Sequence, residues 1–361
     1  MSDFLLQPDV YRTGSRKNLL GVLEDTWIHN RRAGEGDLYL LSGFGNYNGG
    51  VRFYSTFREH VDRGGRAIAF FGGSSSQRLT SKQLVQRLLN CGCEVRVINR
   101  KKIFHTKCYG WETPDSQKLV VTSGNFTGPG LSHNVESALS LDDEHIRQVG
   151  FRWSNLRDSI LEQSWDIHEP RLDDPNGPAW NLLYDESGRR PPEEELDLAT
   201  LIVSLGHADT VRINAEKGTD AGAGSQYFWL SKDCFDFFPA LTILNERGYK
   251  TTNSCIITLN YLDIGVIDPK CRVTFEAGNN VDFRLGTGKL RYTEAASTGD
   301  LAAISRVGDK EYELRIIRQD TPEHAILLSY ATTFVGSREK RFGFLSNERY
   351  NEEVDRARRG N

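Results

Sequence analysis

The chain reads as two units of different class: an α/β unit over residues 1–168 and a mostly β unit over residues 197–361. Three observations predict this. Helical and strand periods alternate up to His168, short β-type runs dominate after Leu196, and the intervening segment 169–196 is rich in proline and acid. A length of 361 residues allows each unit its own core.

In the first unit, Arg16 to Asn30 has the apolar period of an amphipathic helix, and Asp37 to Phe44 reads as a strand. Val51 to Arg63 is helical, Ala67 to Phe71 a strand, Ser81 to Asn90 a helix and Val95 to Asn99 a strand. Three further strand-like runs follow: Ile103 to Tyr109, Lys118 to Thr122, and Asn134 to Leu141. One long helix is expected from Asp143 to Gln163. Strands alternating with helices imply a mixed sheet flanked by helices.

Segment 169–196 carries Pro170, Pro175, Pro178, Pro191 and Pro192, the composition of a linker. Nine acids and three bases lie between Glu169 and Asp197, a net of −6. The whole chain is −4, so the remainder is +2, which leaves room for basic patches. Such an acidic segment could also occlude a cationic site on the first unit. Beyond it, Thr200 to Leu205, Gln226 to Leu230, Leu241 to Leu244, Cys255 to Tyr261, Arg272 to Glu276, Ala302 to Arg306 and Tyr312 to Ile317 read as strands of a barrel-like domain with no competing long helix.

The six cysteines have no zinc spacing and are expected to be free thiols; no metal and no cofactor are expected. No apolar run reaches membrane-spanning length and the N-terminus lacks a basic leader, so the expectation is a cytoplasmic protein without a membrane partner.

The chemistry concentrates between His105 and Glu136. On a strand, His105 and Lys107 would share a face. The turn Ser123-Gly124-Asn125 follows the second run, and Glu136 lies on the third. A neutral His105 can attack phosphorus, Lys107 supplies a point charge, and Asn125 and Ser123 can donate to phosphate oxygens. Glu136 is expected to accept the second ring N–H of His105.

This pattern resembles the phospholipase D superfamily, with its H-x-K, Ser/Gly/Asn turn and downstream acid; the usual Asp after the Lys is missing between Cys108 and Thr113. Nearly the whole chain is similar to the metal-independent type IIS restriction endonucleases. The segments that carry this likeness are Ser42-Gly43-Phe44, Asn46 to Tyr54, Gly128-Pro129-Gly130, Gly206 to Asp209, Gln226 to Asp233 and Phe283 to Tyr292. The resemblance implies a phospholipase D-like catalytic and dimerisation domain. It also implies a recognition domain with the pseudobarrel fold of the B-three domain of plant transcription factors, which grips the major groove with two arms.

The implied activity is metal-free hydrolysis of DNA through a phosphohistidine, with double-stranded DNA as substrate and a cognate DNA methyltransferase in the host. Histidine chemistry needs a second imidazole as general acid, and only one H-x-K occurs. A homodimer with the site at its interface supplies it. A phosphodiesterase acting on non-DNA diesters is the alternative, but no basic amphipathic membrane helix is evident. A DNA-binding regulator with an idle first unit is a third reading, opposed by the full set of catalytic residue types. Candidate DNA-reading residues are Arg212, Trp229, Ser231, Lys232, Arg247, Arg272, Asn279 and Lys340, which fall at expected loops and strand ends; Glu216 to Gly224 reads as a flexible loop able to enter a groove.

Overall fold

The computed structural model describes all residues except 1, 8–9, 16–17, 101, 188–197, 248–249, 279–281, 336–339 and 360–361. The chain divides into two compact units, residues 1–188 and 189–361.

The first unit is built on a nine-stranded mixed sheet. Its strands are β1 (Asp3–Gln7), β2 (Tyr11–Arg12), β3 (Asp37–Ser42), β4 (Arg66–Gly73), β5 (Glu94–Asn99), β6 (Lys107–Glu112), β7 (Gln117–Thr122), β8 (Glu136–Leu141) and β9 (Asp166–His168), in the order β2-β1-β8-β7-β6-β3-β4-β5-β9. Strands β3, β4 and β5 run parallel, and the other neighbours are antiparallel. The helices are α1 (Leu19–Glu24), α2 (Tyr47–Gly50), α3 (Tyr54–Asp62), α4 (Lys82–Asn90), α5 (Gly128–Ser132), α6 (Asp143–Gln148) and α7 (Trp153–Leu161).

Two cores sandwich this sheet. On one face Trp27 packs edge-on against Phe53, Phe57, Tyr109 and Phe126, and its indole N–H donates to the Gly110 carbonyl at 3.0 Å. On the other, Tyr39 stacks on Trp153 among Ile68, Phe70, Leu119, Ile146 and Ile160. The continuous helix expected over 143–163 is two helices. Gly150 sits at φ +67°, and the Gly150 and Phe151 amides close the end of α6 onto Arg147 and Ile146. Glu112 then caps α7 by accepting the Ser154 amide at 2.6 Å and the Arg152 guanidinium.

The first part of the expected linker is not a tether. Trp180, Leu182 and Leu183 are buried, the Ser74 amide donates to the Leu182 carbonyl, and Tyr184 pairs with Thr80 and Lys82 through its backbone. Three apolar side chains override the composition of the segment. Glu186 accepts the Tyr47 amide at 3.0 Å and Asp185 accepts from Gln83, so these acids are engaged by α2 and α4. Glu193, Glu194, Glu195 and Asp197 lie outside the described residues.

The second unit is mostly β, its long sheet curling around a single core. Its strands are β10 (Ala199–Ser204), β11 (Tyr227–Leu230), β12 (Ile243–Arg247), β13 (Lys250–Tyr261), β14 (Val266–Glu276), β15 (Asp282–Gly286), β16 (Leu301–Arg306), β17 (Glu311–Ile317), β18 (Thr333–Phe334) and β19 (Arg341–Ser346). Their order is β11-β15-β14-β13-β17-β16-β10-β19-β18, with β12 also on β13, and β13 and β17 pair in parallel. Its helices are α8 (His207–Thr210), α9 (Pro322–Leu328) and α10 (Asn347–Arg359).

Helix α10 departs from the all-strand expectation. Its apolar positions are sparse, but Tyr350, Val354 and Ala357 recur at helical spacing and are buried, and Tyr350 and Val354 pack with Leu327 and Ile202. Among the described residues no helix is long and apolar enough to cross a membrane. All six cysteines are unbonded.

Candidate functional site

The candidate catalytic residues converge at one end of the first sheet. Ser42 at the end of β3 pairs with Lys107 at the start of β6, Cys108 with Val121 near the end of β7, and Thr122 with Ala138 near the start of β8. Antiparallel pairing thus gathers residues 42–44, 105–107, 122–125 and 136 at the same edge.

His105 precedes β6 instead of lying on it, a correction to the alternating strand expected from Ile103. The pair still meets: the Lys107 ammonium lies 2.9 Å from both ring nitrogens of His105 and donates to its carbonyl at 3.0 Å. His105 is exposed while Lys107 is buried. Burial, and then the Lys107 charge, hold the His105 pKa below the usual imidazole value. Burial likewise lowers the Lys107 pKa, opposed by Glu136. The arrangement favours the neutral imidazole that a nucleophile requires.

Asn125 accepts the Phe44 amide on Oδ1 at 3.2 Å, so its NH2 is the end left for an anion. Glu136 does not reach His105 within this chain. Its Oε2 takes the Ser123 hydroxyl and its Oε1 the Asn134 amide at 3.4 Å. The Ser137 amide holds Ser123 Oγ from the other side at 3.0 Å. The ring-orienting partner of His105 is Lys107.

Two supporting residues carry no charge and stood in the sequence only as part of a resemblance. Ser42, fully buried, donates to the Phe44 carbonyl at 2.6 Å and accepts the Phe126 amide at 2.9 Å, which fixes both loops that frame the site. Gly43 lies so close to the histidine segment that a Cβ there would stand 2.8 Å from the Phe104 carbonyl oxygen and 3.0 Å from His105 Cα. For the DNA-cleaving activity that the sequence resemblance implies, Gly43→Ala is expected to displace His105 and lower the rate about 100-fold, as misplacements of about 1 Å do. Rates near wild type in a DNA cleavage assay would show that the segment yields without cost. Among the described residues, no group of three or more His, Cys, Asp or Glu could hold a metal ion.

In the second unit the candidate residues separate into two kinds. Trp229 is half-buried beside Tyr227, with the Arg284 guanidinium 5.3 Å from the Tyr227 ring and 5.7 Å from the Trp229 ring. Trp229, Arg284, Thr274 and Ser254 form a cross-strand row, and Arg272, exposed, donates to Ser254 at 2.9 Å. The opposite face of these strands is core: Phe228, Phe283, Val273 and Phe275 are buried. A groove of about 420 Å³ opens here, lined by Gln226, Tyr227, Arg272, Thr274, Arg284 and Arg291. Arg284, Tyr227 and Arg291 were missed by the sequence reading; the alternation Phe283-Arg284-Leu285 was the available signal.

Arg212 borders the same region, its Nε donating to the Ala223 carbonyl at 2.7 Å. The loop expected to be flexible is pinned there, and Tyr292 donates to the Gly222 carbonyl at 3.1 Å.

Lys340 and Ser231 belong to the framework. Lys340 is nearly buried and donates to both carboxylate oxygens of Asp209 at 2.7 Å. Asp209 also accepts the Gly206 amide at 2.8 Å and the Trp229 amide at 2.7 Å. Ser231, buried, caps a 3-10 turn over Lys232–Phe237 by accepting the Asp233 amide, and Lys232 is half-buried at its start. Arg247 ends β12, its backbone paired with Lys250 at the start of β13. Asn279 lies outside the described residues.

Residues 193–355 match the family model described as the metal-independent restriction enzyme BfiI DNA binding domain. The C-terminal unit is thus similar to a BfiI-type DNA-binding domain. The tyrosine and arginine groove and the Lys340–Asp209 pair both lie within the matched residues.

Among solved structures, Nuc from Salmonella typhimurium, a phospholipase D family member, is 14% identical with a TM-score of 0.34, covering 47% of this chain and 99% of its own. NucT from Helicobacter pylori is 13% identical with a TM-score of 0.33, covering 45% and 96%. The phosphatidylserine synthase of Haemophilus influenzae is 13% identical with a TM-score of 0.32, covering 48% and 42%. Curated proteins gave no match.

Proposed function

We propose that this protein is a sequence-specific type IIS restriction endonuclease that hydrolyses DNA without metal through a phosphohistidine on His105, within one site completed at a homodimer interface. The observation that carries the reading is the joining of the His105–Lys107 pair to a BfiI-type DNA-binding domain in one chain.

In the proposed reaction His105 attacks phosphorus as Lys107 and the Asn125 amide draw charge from the equatorial oxygens. The P–O bond to the leaving sugar oxygen breaks, and His105 of the partner subunit gives that oxygen its proton. The same imidazole then takes a proton from water as the water oxygen attacks phosphorus, which breaks the P–N bond and frees His105. Glu136 holds Ser123 and the turn at the site's rim.

A twofold interface has support from the sheet itself. Phe4, Leu139 and Val121 form one row across β1, β8 and β7, and all three are exposed next to the catalytic end. An apolar row of this kind favours burial against a second copy. With recognition and catalysis on separate units, the cut is expected outside the recognised sequence, and a host methyltransferase would protect that sequence.

The test is plasmid cleavage in excess EDTA. Discrete fragments are the expected result. Cleavage that appears only on adding magnesium would refute the phosphohistidine route.

A further inference from the structure

We propose that the connection between β5 and β6 is a basic rail that binds the DNA backbone beside the scissile phosphate. This rests on the nuclease reading above and gives the catalytic unit its own contact with DNA, separate from the BfiI-type domain.

The argument starts from topology. Strand β5 ends at Asn99 and β6 begins at Lys107, yet β4 and β3 lie between them in the sheet. The segment must therefore cross the ends of both strands, a span of about 14 Å at about 4.8 Å per strand step. Gly72 and Gly43 make room for the crossing. A Cβ on either would come within 3.1 Å and 2.8 Å of the Phe104 carbonyl oxygen. Buried Phe104 anchors the middle of the crossing to the core.

The sequence that enters this path is basic, with Arg100 and Lys102 ahead of His105 and Lys107. Arg100 and Lys102 are exposed. The Arg100 guanidinium stands 4.1 Å from the Trp165 ring, and Trp165 itself packs on the core, so one charge is held in place before any ligand arrives. Asp166, opposite Asn99 on β9, is occupied by the Asn99 amide at 3.0 Å and by His168 at 2.7 Å. A cationic strip that ends on a phosphodiester-cleaving histidine fits a polyanion lying along it. Strand phosphates recur about every 3.4 Å along a duplex axis, so the strip is long enough for two or more contacts.

The test compares the full-length wild type with Arg100→Gln/Lys102→Gln, and with the charge-preserving Arg100→Lys/Lys102→Arg, on plasmid DNA over a range of salt. At low salt and sub-saturating DNA the Gln variant is expected to cut about 10-fold more slowly, and the slope of log kcat/KM against log salt to be shallower by about 1 to 2. The deficit closes as salt rises, because the lost contacts are electrostatic. The charge-preserving variant keeps the wild-type slope. A deficit of equal size at every salt, or an unchanged slope, would overturn the rail. Should the wild type itself leave DNA intact at all salts, the nuclease reading would fall instead.

Discussion

His105→Ala is expected to lower DNA cleavage by about 10⁴-fold or more while leaving sequence-specific binding intact. The side chain is exposed, and the buried Lys107 ammonium that loses its ring still donates to the backbone carbonyl of residue 105, so the fold is spared. Mixing makes the prediction sharper. If both imidazoles of a dimer serve one site, protomers exchanged in equal amounts leave only about a quarter of the dimers with two histidines. Activity should then fall to that fraction and not to one half. A linear dependence on the wild-type fraction would mean that each protomer carries a complete site, and the interface reading would be lost.

Asp209→Ala is expected to destabilise the C-terminal unit by about 3–5 kcal/mol, since it leaves the Lys340 ammonium nearly buried without a counter-charge. It also removes the acceptor for the Trp229 and Gly206 amides, which join β11 to the loop before α8. DNA binding should weaken with the fold, because Trp229 stands against Tyr227 and Arg284, which line the candidate groove. Replacing both partners, Asp209→Leu with Lys340→Met, should restore most of the stability, since neither a charge nor its hydration is then at stake. Urea unfolding of the single and double variants decides it. Equal losses in both would show that the amide contacts, and not the stranded ammonium, dominate.

Much of the first unit was legible because its signals are local. The strand over Asp37–Ser42, the helix capped by Ser81, and the strands that bring Lys107, Asn125 and Glu136 to one edge follow from periodicity and turn residues. What escaped depends on contacts distant in sequence. Lys340 reads as a surface base until Asp209, 131 residues away, is seen to hold it. Glu136 reads as a histidine partner until the β7–β8 pairing sets it beside Ser123. Segment 169–187 reads as a tether because composition averages over Trp180, Leu182 and Leu183, the side chains that fasten it. Gly43 carries no chemistry of its own, and only the crossing segment reveals why a side chain is excluded there.

The pairing of β1 with β8 has a consequence for the order in which this site is assembled. Gln7 faces Glu136 across that pair and, fully buried, donates to the Gly130 and Asn134 carbonyls while accepting the Leu19 amide. The strand that begins at Glu136 is thus braced by residues made about 130 positions earlier. During synthesis β1 must wait, unpaired on this side, until β8 emerges, and such long-range closure is among the slower events of folding. The rim of the candidate site is therefore one of the last parts of the unit to be locked, and a nascent chain holds its His-x-Lys segment well before the residues around it are in place.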